Sequence, residues 1–207
     1  MAIITISRMY GSGGSHVAQR VATALGWNLL DNALVDEVSH RLGMSRDEVS
    51  AHEERLPSLA ERLASALVLS APEALPALGG TSPVPPEERI IDVTKLVIQE
   101  AVQRDHAVLV GRGAQCMLAD RPDALHVFCY APRPALIAYE VNKSGVTAEK
   151  AAHIVDEMNH NREQYVKQVW KRDWRRMENY HVCVNTAALG LDGAAELVVR
   201  LAKERFD

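Results

Sequence analysis

The stretch that decides the fold is IITISRMYGSGGS at residues 3–15, which leads into a helix-like pattern beginning near His16. Residues 3–6 are apolar, as in a buried strand, and three glycines follow before the helix. Glycine permits close approach and left-handed backbone angles, so successive N–H groups can converge on an anion at the positive end of the helix. The stretch predicts a phosphate-binding loop formed by Gly11, Ser12, Gly13, Gly14 and Ser15. The alternative is a turn that only lets the helix approach a sheet closely.

The nucleotide P-loop pattern, GxxxxGK[ST], fits residues 8–15 only in part. Arg8 stands where the first glycine of the pattern belongs, Gly14 stands where the lysine belongs, and Ser15 supplies the hydroxyl. Arg8 is therefore a candidate for the missing positive charge, with a side chain that simply points to solvent as the alternative. Ser15 is a candidate contact for Mg²⁺.

The composition limits the classes of function. The chain has 207 residues, 47% of them hydrophobic, and a formal net charge of -4, which suits one domain and argues against a nucleic acid polymer as the main ligand. Cys116, Cys129 and Cys183 show no metal-ligand spacing and predict buried, reduced thiols. The sequence enters a strand directly and has no apolar run of membrane-spanning length, so we expect a cytoplasmic protein without membrane contact.

Four further apolar runs predict strands, at residues 27–31, 107–110, 126–130 and 182–185. They alternate with amphipathic helical patterns, two of which are long and begin at Pro86 and near Ala148. This alternation predicts an α/β fold with a central parallel five-stranded sheet and helices on both faces. Residues 56–70 predict a further helix. Residues 71–86, rich in proline and glycine, predict a surface loop of the kind used as a lid or partner contact.

The candidate site residues follow from the expected meeting of strand ends at one edge of the sheet. Arg112 lies between two glycines directly after a buried strand, where it can bind phosphate or form a salt bridge to Asp31 or Asp92. Asp31 ends the second strand as a ligand contact or a helix cap. Arg162 falls on the apolar face of the helix that begins near Ala148. It either faces phosphates in a cleft or extends to solvent along an apolar stem.

A basic and aromatic run, WKRDWRR, occupies residues 170–176. It either contacts a ligand or another subunit, or ends a helix with cations at the negative end of the helix dipole. The sequence leaves the oligomeric state open, with a homodimer as one alternative.

Together these residues resemble the cytidylate-kinase-like family, a branch of the P-loop nucleoside monophosphate kinases. The resemblance rests on ITISRMYGSGGS (4–15), AVLVGRGA (107–114), FCYAP (128–132), DEMNHNREQYVKQVWKRDW (156–174) and YHVCVNT (180–186). It implies a single kinase-like domain over residues 1–207 with a three-layer P-loop kinase-like fold. The core would comprise residues 1–31, 86–135 and 180–207, with a helical acceptor-binding insertion at 32–85 and a short lid with a long helix at 136–179.

The resemblance also implies an activity: transfer of a phosphoryl group from ATP, with Mg²⁺, to a nucleoside monophosphate such as CMP. By this resemblance the loop at 11–15 holds the ATP phosphates, and Ser15 contacts Mg²⁺. Arg112 matches the arginine of a family GRD segment that holds the acceptor, and Asp31 matches an acidic residue that faces it. Arg162 matches the lid arginine that meets the transferring phosphates, and Arg8 adds a further cation. The implied partners are small-molecule nucleotides.

The chain departs from the family pattern at several positions. Gly113 replaces the aspartate of the GRD segment, and Leu136 and Tyr139 stand where the lid pattern usually places arginines. Ser15 and His16 replace a common Arg-Glu pair, whereas the missing P-loop lysine belongs to the branch pattern. The sequence favours an enzyme. These departures keep two alternatives open: a catalytically weak nucleotide-binding or regulatory protein, and a kinase of a different small molecule.

Overall fold

The structure is a computed structural model that describes residues 1–49 and 86–206. The helix predicted at 56–70 lies outside the described residues, as does the loop predicted at 71–86 apart from its last residue. In order, the elements are β1 (Ile3–Arg8), α1 (Gly14–Leu25), β2 (Asn28–Leu30), α2 (Asn32–Leu42), α3 (Pro86–Arg104), β3 (Ala107–Val110), α4 (Ala114–Met117), β4 (Ala124–Tyr130), α5 (Arg133–Ser144), α6 (Ala148–Trp170), β5 (Val182–Asn185) and α7 (Thr186–Phe206).

The five strands form one parallel sheet in the order β2-β3-β1-β4-β5. The apolar run at the start of the chain, β1, lies in the centre of the sheet and pairs with β3 on one side and β4 on the other. Parallel pairing requires a crossover between strands, and here helices supply most of these crossovers and cover both faces. The predicted α/β class with a five-stranded parallel sheet is confirmed.

Alternation along the strands divides the core into two layers. Ile4 and Ile6 of β1 point to the face covered by α1 and α7, where they join Val17, Val21 and Val198 in one buried cluster. Ile3 points to the opposite face and packs with residues of α2 and α3, including Leu34, Val38 and Ile98. Side chains of a strand alternate between faces with a period of two, so a single short strand anchors both layers. The sheet with its two helical layers confirms the three-layer fold.

Helix ends agree closely with the sequence patterns. The long helix expected from about Ala148 to Trp170 has those bounds, and Pro86 begins α3. Ser45 and Glu48 form a capping box: each side chain accepts a hydrogen bond from the backbone N–H of the other, at 3.2 and 2.7 Å. In the described part of the chain, no helix combines the length and the apolar character needed to cross a membrane.

A buried histidine lies within the sheet. His126 of β4 is 3% exposed, its Nδ1 is 2.8 Å from Oγ1 of Thr5, and its ring stacks on that of His181 with centroids 5.0 Å apart. Burial and, to a smaller extent, the neighbouring His181 together lower the pKa of His126 from 6.5 to about 4. The folded protein therefore holds this ring neutral in the acidic range in which an exposed histidine takes up a proton.

We expect stability to fall as the pH drops from about 7 to 5, because in this window the unfolded chain binds a proton at His126 that the folded chain excludes. Protonation of the unfolded state lowers the free energy of unfolding by about 2 kcal/mol at pH 5. Urea unfolding at pH 7.5 and 5.0 measures the loss. His126→Asn, which keeps a polar atom near Thr5 without a titratable ring, should reduce the loss; an unchanged pH dependence would contradict the assignment.

Candidate phosphate-binding site

A pocket of about 80 Å³ lies at the carboxyl end of the sheet and is lined by Arg8, Arg112 and Arg162. Arg8 ends β1, Arg112 lies two residues after the end of β3, and Arg162 comes from α6, so three separate parts of the chain bring the guanidinium groups together. We call it the arginine pocket; its other lining residues are Ser7, Gly111, Gly113, Gln115, Tyr165, Val166 and Trp174.

Asp31 lies between two of these arginines. Its Oδ1 is 3.7 Å from Nη2 of Arg8 and 3.8 Å from Nη1 of Arg112, and Arg112 also donates to the backbone oxygen of Asp31 at 3.3 Å. Asp31 occupies the N-cap position of α2, but its side chain makes no capping hydrogen bond. Among the residues that the structure describes, three guanidinium groups and the Asp31 carboxylate meet at the pocket, and this grouping of cations favours a phosphate-like anion.

Of the two carboxylates predicted as salt-bridge partners of Arg112, Asp31 forms such a pair. Asp92 instead lies 3.3 Å from Lys95 on its own helix. The Asp31 carboxylate neutralises part of the positive charge of Arg8 and Arg112. An anionic ligand can replace it as the partner of Arg112. The structure places Arg8, Asp31, Arg112 and Arg162 together, and their roles in ligand binding stay predictions.

The backbone after β3 has an uncommon conformation. Gly111, Arg112 and Gly113 have φ angles of 73°, 53° and 70°, so Arg112 is a non-glycine residue in the left-handed region. Such a conformation costs about 1 kcal/mol and occurs preferentially at functional sites. It directs the Arg112 side chain back toward the end of β2, where Asp31 lies.

Trp170 accounts for the glycine at position 113. A Cβ atom added to Gly113 would overlap Nε1 of Trp170 and lie 2.6 Å from its Cδ1 atom. The indole therefore fills the space that a side chain at position 113 needs, and its buried Nε1 has no hydrogen-bond partner among the described residues. The family pattern has an aspartate at position 113. In this protein the Trp170 indole occupies the space of that side chain.

The glycine loop, residues 11–15, ends at the N-terminus of α1, with Gly13 as the N-cap at a φ of 71°. The N–H groups of His16 and Val17 donate to the backbone oxygen of Gly13. Those of Gly14 and Ser15 lie in the first helical turn, where a helix offers no internal acceptor, and they can bind an anion at the positive end of the helix dipole.

The Arg8 side chain extends from the glycine loop to the arginine pocket. A Cβ added to Gly14 would overlap Cβ of Arg8 and lie 3.2 Å from Cβ of Cys129, and a Cβ added to Gly111 would overlap Nη1 of Arg8. The stem of Arg8 therefore passes beside Gly14, and its guanidinium group lies against Gly111. The structure brings positive charge from the strand, at position 8, in place of the helix position 14 that the P-loop pattern uses.

The first half of α5 has an apolar and an aromatic residue, Leu136 and Tyr139, at the two positions where the family pattern places arginines. Leu136 is 1% exposed, and a Cβ added to Gly11 would lie 3.0 Å from the Leu136 backbone oxygen. Tyr139 is 43% exposed, and Arg133 at the start of the helix forms a 2.7 Å salt bridge to Asp156 of α6. Leu136 therefore packs against Gly11 of the glycine loop. The salt bridge between Arg133 and Asp156 connects α5 to α6.

Several residues of the site were not individually predicted from the sequence. Tyr165 has the spacing of an apolar residue of α6, yet it lines the arginine pocket and its hydroxyl lies 3.5 Å from the backbone oxygen of Arg112. Trp174 lies in the basic run after α6, where it is 3% exposed and also lines the pocket. Tyr10 and Asn159, described below, were likewise missed. An aromatic residue within a charged run was the one signal that indicated Trp174.

The residues present fit Mg²⁺ bound mainly through a ligand. Among the described residues, no group of three or more His, Cys, Asp and Glu side chains is arranged to hold a metal ion. Mg²⁺ at nucleotide sites keeps several waters and binds phosphates together with one or two protein groups. The exposed hydroxyl of Ser15, at the N-terminus of α1, is a suitable protein group.

A larger groove of about 610 Å³ lies between α1 and α7, away from the predicted site residues. It has basic side chains (Arg20, Arg200, Lys203) and acidic ones (Asp192, Glu196, Glu204) in equal number. Some of these already pair with one another, as Arg20 does with Asp192 at 2.9 Å. The arginine pocket is smaller, but three guanidinium groups line it and no carboxylate is among its described lining residues, so the chemistry favours it as the anion site.

Comparisons with known proteins agree with this fold. The structure resembles an uncharacterized protein from Eubacterium ventriosum, with a TM-score of 0.72, 19% identity and coverage of 99% of this chain and 100% of that chain. It also resembles TT1252 from Thermus thermophilus (TM-score 0.53, 18% identity, coverage 100% and 98%). A third similar structure is shikimate kinase from Bacteroides thetaiotaomicron (TM-score 0.54, 12% identity, coverage 98% and 98%).

At these identities the likeness shows a shared fold. A comparison with curated proteins found no match. The sequence profile described as "Cytidylate kinase-like family" matches residues 3–188, which include the glycine loop, the arginine pocket and the long helix α6. Because this match spans most of the chain, the protein belongs to the cytidylate kinase-like family, as its motifs predicted.

Proposed function

We propose that this protein is a Mg²⁺-dependent phosphotransferase that moves the γ-phosphoryl group of ATP to a nucleoside monophosphate such as CMP. The observation that carries the proposal is the convergence of Arg8, Arg112 and Arg162 on one pocket, with the Arg8 stem extending back to the glycine loop. Enzymes accelerate phosphoryl transfer by positioning the groups and offsetting negative charge, without a covalent intermediate. Membership of the cytidylate kinase-like family supports this class of reaction.

The residues divide into two groups in this proposal. The N–H groups of Gly14 and Ser15 bind the donor phosphates at the positive end of α1. The Ser15 hydroxyl would hold Mg²⁺, which offsets phosphate charge when bound. Arg8 lies between this loop and the acceptor side, because its stem contacts Gly14 and its guanidinium group contacts Gly111.

Arg112 and Asp31 hold the acceptor on the other side. An acceptor phosphate takes the place of Asp31 as partner of Arg112, which leaves the carboxylate to accept a hydrogen bond from a hydroxyl of the acceptor. Arg162 lines the same pocket and offsets charge during transfer. We assign residues 32–85 to the acceptor region of a single domain. Position 113 has no room for the aspartate side chain that the family pattern places beside the acceptor. A small-molecule acceptor other than CMP is therefore a variant of the same proposal.

Arg112→Ala is expected to lower kcat/KM by about a hundredfold, because it removes the charge that binds the acceptor. A coupled assay for ADP, with Mg²⁺ and ATP against a panel of nucleoside monophosphates and other phosphorylatable small molecules, measures the loss. Arg104→Ala is the matched control: Arg104 lies on the surface of α3, 3.6 Å from Glu100, and its loss should leave turnover unchanged. Absence of turnover with every acceptor would contradict the proposal.

The second candidate function is nucleotide binding without efficient catalysis. It is favoured by α5, where Leu136 is buried under the glycine loop and Arg133 pairs with Asp156 on the surface. This arrangement supplies less positive charge around the phosphates than lid arginines would. Calorimetry separates the two functions: ATP binding without turnover supports the second, and absence of both would indicate a role in protein interaction.

A further inference from the structure

We propose that Tyr10 is a positioning residue that holds Arg162 in the arginine pocket and ties the glycine loop to α5 and α6. Its kinetic test rests on the proposed phosphotransferase function, whereas its binding test does not. Tyr10 directly precedes Gly11, so any contact that fixes Tyr10 also fixes the entry to the glycine loop. Three parts of Tyr10 make contacts: its ring, its hydroxyl and its backbone.

The Tyr10 ring contacts two cations. The guanidinium carbon of Arg162 lies 5.6 Å from the ring centroid, and Nζ of Lys143 lies 5.3 Å from it. Both distances are within the range of cation–π attraction. Arg162 also donates a hydrogen bond from Nη1 to the backbone oxygen of Arg8 at 2.9 Å. The Arg162 guanidinium group is thus held by the Tyr10 ring and by the backbone oxygen of Arg8, and both residues precede the glycine loop.

The Tyr10 hydroxyl is part of a network with α5. It donates to Oε2 of Glu140 at 2.9 Å and accepts from Nζ of Lys143 at 3.3 Å, while the Ser144 hydroxyl donates to the other oxygen of Glu140. Glu140 is 2% exposed, and a buried carboxylate is costly without such donors. The hydrogen bonds from Ser144 and Tyr10 lower the pKa of Glu140 and keep it charged at neutral pH.

The Tyr10 backbone is held by α6. Its N–H donates to Oδ1 of Asn159 at 2.7 Å, and Nδ2 of Asn159, a residue that is 3% exposed, donates to the backbone oxygen of Val155 at 2.9 Å. Asn159 and Arg162 are three residues apart on one helix face. A single turn of α6 therefore fixes both the entry to the glycine loop and a cation of the pocket, with Tyr10 in contact with each.

A purely structural tyrosine would contribute to stability and leave Arg162 unaffected. The two roles differ in a double-mutant cycle, because a residue that acts through Arg162 loses its effect once Arg162 is removed. The ring and the hydroxyl are also separable, since Tyr10→Phe keeps the cation–π contact and Tyr10→Leu removes it. Tyr139→Leu provides a matched control, as Tyr139 lies on α5 with 43% exposure.

Tyr10→Leu is expected to lower kcat about tenfold with little change in KM for ATP, while Tyr10→Phe stays within about threefold of the wild type. In an Arg162→Ala background, Tyr10→Leu should lower kcat by less than about threefold. Tyr139→Leu should behave as the wild type. Equal losses from Tyr10→Leu in both backgrounds, or equal losses from Tyr10→Phe and Tyr10→Leu, would overturn the proposal.

Binding of inorganic tripolyphosphate, measured by calorimetry on the same variants, tests the inference without any turnover. Tyr10→Leu should weaken this binding several-fold, and again by less in the Arg162→Ala background. Urea unfolding shows that each variant is folded at the assay temperature. If no acceptor is phosphorylated, the proposed function fails, whereas additive losses of tripolyphosphate affinity would overturn the role of Tyr10 alone.

Discussion

Gly14→Lys is expected to lower turnover by more than about a thousandfold, although it introduces the lysine that the P-loop pattern contains. A Cβ at position 14 overlaps Cβ of Arg8 and would lie 3.0 Å from its Cγ, so the lysine displaces the Arg8 side chain. Displacement moves the guanidinium group away from Asp31 and Gly111, and the strain distorts the first turn of α1. The variant therefore loses the existing cation and the geometry of the loop together.

The reciprocal variant R8G/G14K should recover a large part of this loss. It vacates the volume that the Arg8 stem occupies and completes GxxxxGK[ST] over residues 8–15. Arg8→Gly alone removes the charge without a collision and is the matched control, with an expected loss of about a hundredfold. The ADP-coupled assay measures all three, and binding of tripolyphosphate gives a second measure. A double variant no more active than Gly14→Lys would show that the two positions are not exchangeable.

In this protein the cation lies at position 8 and the glycine at position 14, the reverse of the P-loop pattern. This exchange of residue types shows how far the sequence could predict the site. Alignment with the P-loop pattern identified Arg8 and Gly14 as the unusual positions. The reason for the exchange could not be predicted, because it is a contact between the end of a strand and the start of a helix. Arg112 and Arg162 were selected for physical reasons that hold more generally: the ends of parallel strands meet at one edge, and a charge on an apolar helix face needs a partner.

The site residues that were not predicted from the sequence have one property in common: their contacts with the site are tertiary. Tyr165 is aromatic and buried, so in the sequence it cannot be distinguished from core. Tyr10 contacts Glu140 and Asn159, which are 130 and 149 residues away along the chain, and no local pattern encodes such a network. The sheet, by contrast, was predicted well because each strand is a short apolar run between helices, and that signal is local.

The space beside position 113 is another feature that only tertiary contacts reveal. The sequence shows that the GRD aspartate of the family pattern is Gly113, and the structure shows the Trp170 indole in the place of its side chain. Acceptor recognition at this position therefore has to use the backbone or other residues. The same contact makes the glycine necessary for stability.

Gly113→Asp is expected to lower the free energy of unfolding by about 3 to 5 kcal/mol, measured by urea unfolding at pH 7.5. Two effects add: a φ of 70° strains a side-chain-bearing residue, and its Cβ overlaps the Trp170 indole. Gly145→Asp isolates the first effect, because Gly145 has a φ of 66° and no atom lies within 4 Å of an added Cβ. We expect a loss of about 1 kcal/mol there. In a Trp170→Ala background, Gly113→Asp should cost little more than Gly145→Asp; an undiminished cost would show that the indole is not the obstacle.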